Sequence, residues 1–299
     1  MASLRKFDPM TMTTEMTWLC KMIRDKSGIV LGEDKLYLLE SRLKSIAEKN
    51  NCRTLAELTV ILRKQEWSPL HYQIIDAMTT NETYFFRDIA PFDALREKLI
   101  PDLIKKRSGE KKLHMWCGAA STGQEPYSIM MTLRENFPSL QTWDIKLTAT
   151  DLSAKVLARC KSGRYSQQEV ERGLPPALLN RYFTKQGNEW EAKESIRAGI
   201  EFRELNLLDS WFNLGRFDIV FMRNVLIYFD VEIKRMLFGK IRKVLAPDGY
   251  MLLGGAESPL NLDNQFVRYP YDRGGVYRLL EPTESPSVDP KSDRYPIIR

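Results

Sequence analysis

From residue 112 onward the chain alternates between short apolar runs and amphipathic segments, and few folds accommodate that rhythm. KKLHMWCG, DIKLTATD, IEFRELNL, FDIVFMRN and GYMLLGG read as strands, while EPYSIMMTLREN, SAKVLARCKSG and EIKRMLFGKIRKVL read as helices lying among them. A strand that returns through a helix pairs in parallel with its predecessor, and the crossover helices cover the sheet faces. Two late apolar stretches, 266–271 and 276–280, have no helix between them, and Gly274 and Gly275 stand where a hairpin would turn. The pattern over 112–281 therefore predicts an α/β fold: a mostly parallel seven-strand sheet closed by a C-terminal hairpin.

The region before it has a different period. Leu36, Leu39, Leu43 and Ile46, then Leu55, Leu58 and Leu62, recur at helical steps,. Ser68 followed by Pro69 suits the start of a further helix. This predicts a small all-α domain over 1–80, joined by a linker and connecting helix over 81–111. A segment at about 184–202 interrupts the rhythm of the sheet and reads equally as a small β excursion or an irregular loop. The Pro- and Ser-rich tail, 282–299, is expected to be flexible.

Composition removes several classes of function. Lys and Arg number 45 against 39 Asp and Glu, a net charge of +6 with no long basic run, so a nucleic-acid partner is not expected. Four scattered cysteines and two histidines do not form a metal-ligand pattern,. No apolar run reaches membrane-spanning length. We expect a soluble, cytoplasmic monomer with no metal.

In open α/β sheets ligands bind beyond the carboxyl ends of the strands. The first strand ends in GAASTGQEP, whose small residues allow close approach to the backbone and whose helix start favours an anion; a plain tight turn is the bland alternative. The second ends at Asp151, which suits two ribose hydroxyls or, alternatively, a helix N-cap. The third ends in Asn206-Leu207-Leu208-Asp209, with an amide and a carboxylate near where an adenine would lie. The fourth ends at Arg223-Asn224, a polar pair costly to bury unless it serves a ligand or a cap. There is no phosphate loop, no G-x-G-x-x-G and no nucleophile elbow,. A methyl donor built on adenosine and methionine fits this set better than a nucleotide.

TTNETYFFRD, GAASTGQEPYS, ATDLS, NLLD and FDIVFMRNVLIYFD, in this order and spacing, closely resemble the CheR-type chemotaxis receptor methyltransferases, from about residue 15 to 281. The resemblance implies a Rossmann-like S-adenosylmethionine-dependent methyltransferase sheet. It implies methylation of glutamate side chains on the cytoplasmic helices of chemoreceptors, giving γ-glutamyl methyl esters. By motif it assigns Asn81, Thr83, Arg87, Glu125, Asp151, Asn206, Leu207, Arg223 and Asn224 to the cofactor and Tyr228 to the reacting centre; Arg87 is expected to act there too by holding a carboxylate of either the cofactor or the substrate. It also makes the linker one wall of the site, although Tyr84, Phe85 and Phe86 could simply plug the domain interface, a role expected of Phe85 or Phe86. In such enzymes the excursion can grip a receptor tether; here it looks short, and no tether is expected to be needed. Arg42 and Lys49, seven apart, would offer one helix face to an acidic receptor helix, or form an ordinary solvated face. The alternatives are a nucleic-acid or small-molecule methyltransferase, which the lack of an Asn/Asp-Pro-Pro-aromatic tetrapeptide disfavours, and a non-catalytic scaffold.

Overall fold

The computed structural model describes residues 13–271 and 274–281. The tail expected to be flexible, 282–299, lies outside them.

Four helices, Thr14–Ser27, Leu36–Lys49, Leu55–Lys64 and Pro69–Met78, form the N-terminal bundle. Their apolar faces meet in one core of Leu19, Ile23, Leu39, Leu43, Leu58 and Ile74, all fully buried. Local signals set the ends. Thr13 and Thr54 cap the first and third helices by accepting from the amides of Met16 and Glu57,. The first helix stops at Gly28, which takes the left-handed conformation (φ +79°) and returns its amide to Arg24 O,. His71 Nδ1 accepts from the Ser68 amide at 3.1 Å and completes the start of the fourth helix,.

Among the described residues ten strands follow: β1 (Lys112–Gly118), β2 (Asp144–Asp151), β3 (Arg164–Ser166), β4 (Phe183–Gln186), β5 (Glu189–Ala192), β6 (Ile200–Glu204), β7 (Phe217–Met222), β8 (Leu245–Leu253), β9 (Phe266–Arg268) and β10 (Gly275–Leu279). Seven of them form one sheet in the order β6-β2-β1-β7-β8-β10-β9. The five from β6 to β8 are parallel, and β10 runs antiparallel to both its neighbours. Both faces of β1 are buried, as a covered parallel sheet requires. Met115 and Cys117 join the core on one side, while Trp116 points to the other, against Trp211 and Phe217.

The structure changes three readings. The excursion is a three-stranded sheet, β3-β5-β4, whose outer strand begins at Arg164, well before residue 184. A three-residue strand has too few residues to show a period in sequence. The last residues of the expected excursion, 200–202, belong instead to β6. Phe85 is fully buried, but it packs edge-on against Tyr165 and Phe183 of the small sheet rather than plugging the joint with the helical bundle. Thus the linker is anchored to the catalytic half, where its backbone can serve as a fixed wall.

Candidate cofactor and substrate cleft

The reversal of strand order between β1 and β7 opens a crevice at the carboxyl edge of the sheet, and the helical bundle covers it. The bundle is tied down by polar contacts. Arg24 pairs with Asp230 at 2.7 Å and Glu232 at 3.1 Å. Asn206 Nδ2 donates to Lys26 O at 2.6 Å, and the Val30 amide donates to Tyr228 O at 2.9 Å. Between the two halves lies a cleft of about 870 Å³ counting its open mouth.

All ten sequence-derived site residues border this one cleft: Asn81, Thr83, Arg87, Glu125, Asp151, Asn206, Leu207, Arg223, Asn224 and Tyr228. Asp209, the carboxylate of the same N-L-x-D stretch, borders instead an adjoining open groove that shares Leu152, Leu205 and Asn206 with the cleft. Ser27 and Ile29 from the bundle, Leu152 and Leu205 just after β2 and β6, and Phe229 also line it. Sequence reasoning missed these. Ser27 and Ile29 sit at an ordinary helix end, and nothing local marks them as facing a ligand.

The turn after β1 owes its shape to unusual backbone. Ala119 and Ser121 both take positive φ (+55° and +52°), and Gly123 follows at +99°. A Cβ on Gly123 would stand 2.5 Å from Cys160 Sγ, so that position requires glycine,. Left-handed backbone at non-glycine residues is costly and must be held from outside. Asp151 does this: its carboxylate accepts from the Ser121 amide at 2.8 Å and the Ser153 amide at 2.9 Å. Ser153, not Asp151, caps the next helix. Each Asp151 oxygen keeps a lone pair for a further donor. Burial pushes the Asp151 pKa up, against the pull of the Ser153 and Ser121 amides,.

Asn206 reaches the cleft with its amide already engaged, donating to Lys26 O and accepting from the Leu208 amide at 3.0 Å. Its main effect is to join the bundle to the third-strand turn. Arg87 donates to Glu82 O at 2.8 Å and lies over the Tyr84 ring. Arg223 is buried. It pairs with Glu125 and with Asp88 at 3.0 Å, and donates to Arg87 O at 2.8 Å. Its Nε is buried without a protein partner. Glu125 also accepts from Cys117 Sγ at 3.2 Å. Burial holds that thiol well above its ordinary pKa, so Cys117 stays neutral,.

Arg42, offered above to a receptor helix, is committed elsewhere. It donates to Met78 O and Thr79 O, both at 2.9 Å, and to Thr80 Oγ1 at 3.1 Å. Its guanidinium therefore caps the fourth helix and steadies the start of the linker. Lys35, Lys44 and Lys49 remain exposed on the same domain. Among the described residues no cluster of His, Cys, Asp and Glu could hold a metal ion, and no helix is long and apolar enough to cross a membrane.

The residues fit an adenosylmethionine. The spare acceptors of Asp151 suit ribose hydroxyls, the small-residue turn admits a close chain, and Glu125 with the unpartnered Arg223 Nε offers complementary charge to an amino-acid end,. Comparison with known proteins agrees. Residues 81–274 match the family model for the CheR methyltransferase SAM binding domain, and residues 14–79 match that for its all-alpha domain. The chain is 43% identical over 256 residues to the chemotaxis protein methyltransferase Cher2 of Pseudomonas putida, covering 84% of this chain and 92% of the relative. Chemotaxis protein methyltransferase 1 of Pseudomonas aeruginosa is equally similar, with the same coverage. The chemotaxis protein methyltransferase of Vibrio parahaemolyticus is 38% identical over 266 residues, covering 87% and 94%. This chain belongs to the CheR methyltransferase family and is an S-adenosylmethionine-dependent methyltransferase of chemotaxis.

Proposed function

We propose that this enzyme methylates glutamate side chains on the cytoplasmic helices of chemoreceptors, forming γ-glutamyl methyl esters, and that the ten cleft residues are its working site. The observation that carries this reading is the convergence of all ten on one cleft, although they come from the linker and four strand ends. On this reading Asp151 holds the ribose, and Asn206 and Leu207 border the adenine. Glu125, Arg223, Asn81 and Thr83 surround the amino-acid end, with Asn224 beside them. The enzyme acts in the cytoplasm, as a monomer.

When bound, S-adenosylmethionine supplies a methyl group activated by a positively charged sulfur. The acceptor glutamate needs no base, because a carboxylate with an ordinary pKa near 4.3 is already ionised at neutral pH. The cleft accordingly contains no histidine: His71 caps a helix and His114 lies within β1. What the chain must supply is alignment and exclusion of water. Arg87 and Tyr228 border the same cleft, one on the linker and one after β7. We assign them to orienting the acceptor carboxylate. The bundle, tied down by Arg24 and Asn206, covers one side of the cleft and narrows its access to solvent. The compact turn at Gly187 between β4 and β5 supports a receptor interaction that needs no tether peptide.

The test is incubation with labelled methyl donor and receptor-bearing membranes. Base-labile label released as methanol is the expected result. Stable label would indicate methylation at nitrogen or carbon, and no label would indicate a scaffold. Tight calorimetric binding of a receptor C-terminal peptide would overturn the tether-independent part.

A further inference from the structure

Glu257 lies outside the cleft and outside every motif considered above, yet it is buried and its carboxylate is fully engaged. Oε2 accepts from the amides of Asn224 at 2.8 Å and Gly254 at 2.7 Å. Oε1 accepts from the amides of Val225 at 2.9 Å and Leu226 at 2.7 Å. A carboxylate has about four acceptor sites, and here backbone donors occupy all four. Three of the donors are consecutive, so the chain from 224 to 226 curls around one anion, an arrangement of successive N–H groups that favours negative charge.

That curl has a cost. Asn224 takes positive φ (+58°), which a non-glycine residue adopts only when held,. Gly254 leaves the room: a Cβ there would lie 2.7 Å from Asn224 Nδ2 and 2.8 Å from Glu257 Oε2. The turn so held carries Arg223 and Asn224 at its start and Tyr228 at its end, all three on the cleft. A single short helical turn, Leu226–Tyr228, links the clamped amides to the tyrosine.

We infer that Glu257 is a positioning residue for methyl transfer: its buried carboxylate sets the backbone of the 224–226 turn and through it the placement of Asn224 and Tyr228. This rests on the reading above that the turn borders the bound donor and acceptor. Glu257→Gln is the sharpest probe, since it preserves size but sets an NH2 group against amides that need an acceptor. Gly254→Ala crowds the same place while leaving the carboxylate intact.

Both variants are compared with the wild-type full chain for kcat, for KM with receptor membranes and for calorimetric affinity of S-adenosylhomocysteine. Thermal unfolding reports the folded fraction. The expected result for Glu257→Gln is a folded protein with kcat at least tenfold lower, product affinity weakened about tenfold and receptor KM unchanged. Gly254→Ala moves in the same direction. Combining Glu257→Gln with Tyr228→Phe gives less than the product of the two single losses, because both act through one turn. A folded Glu257→Gln with kcat and affinity within twofold of wild type overturns the inference, as does full additivity. Failure of both variants to fold overturns it too, by assigning the carboxylate to the fold as a whole. If Asn224→Ala and Tyr228→Phe themselves have no effect, the reading of the turn as part of the site fails instead.

Discussion

Two turns bound the cleft, one after β1 and one after β7, and each bends through left-handed backbone around a buried carboxylate. They differ in where that carboxylate faces. Asp151 holds the Ser121 and Ser153 amides from within the cleft and keeps acceptor sites to spare. Glu257 holds four amides from behind and has none left. A carboxylate with free lone pairs can shape a loop and bind a ligand together; a saturated one can only shape the loop. Where the cofactor has hydroxyls to offer, the acid faces it. Where the turn presents side chains to the reacting groups, the acid supports them from outside.

The comparison breaks most readily at Asp151. Asp151→Asn loses the charge that strengthens both kinds of bond, so affinity for S-adenosylhomocysteine should fall about 100-fold, the equivalent of about 2.7 kcal/mol. A loss of tenfold or less by calorimetry would mean that this acid, like Glu257, serves only the loop. Next in size is Arg87→Ala, on the linker wall facing the β7 turn, which should lower methyl transfer at least tenfold. Near-normal turnover would remove Arg87 from the reacting centre.

A pH titration sharpens the same contrast. Burial raises the Asp151 pKa, so its proton binds at a higher pH than the ordinary value near 3.9. Cofactor affinity should therefore weaken as pH falls through that raised value, as acceptor capacity is lost. The contribution to folding has the opposite sign. A carboxyl with a raised folded pKa stabilises the fold most below its unfolded value, and that stability is lost as pH rises through the folded one. In Asp151→Asn both slopes should disappear from calorimetric and thermal titrations.

The turn after β6 extends the comparison with opposite charge. Lys240 Nζ donates to Leu207 O, Leu208 O and Asp209 O at 3.0, 2.7 and 2.8 Å. Partial burial lowers its pKa. These carbonyls lie nearer solvent than the amides around Glu257, and water can replace the ammonium. Lys240→Met should therefore weaken product affinity only about threefold; a loss as large as that of Glu257→Gln would show that solvent does not compensate.

Motif and period carried the sequence reading far. The strand-helix alternation placed the sheet, and the strand ends placed Asp151, Asn206 and Arg223 on one edge, because chain direction in a parallel sheet decides which end of every strand opens on the crevice. Recognition of TTNETYFFRD added the linker wall. Short elements escaped: β3 has three residues, too few to show a period, and became legible only through its pairing with β5. Arg42 looked like surface charge because the carbonyls it holds lie 36 and 37 residues away.

Sequence by itself determined the fold class, the all-α domain before it, the methyl donor and the identity of ten cleft residues. The first two follow from periodicity, a local property of the chain; the donor and the full set of ten rest on the family resemblance that the motifs carry. Tertiary structure alone decided how those residues are held. Glu257 holds amides 31 to 33 positions before it, Arg24 reaches residues more than 200 positions away, and Phe85 finds its neighbours in the small sheet. A buried carboxylate is defined by the donors around it, and only folding brings those donors together.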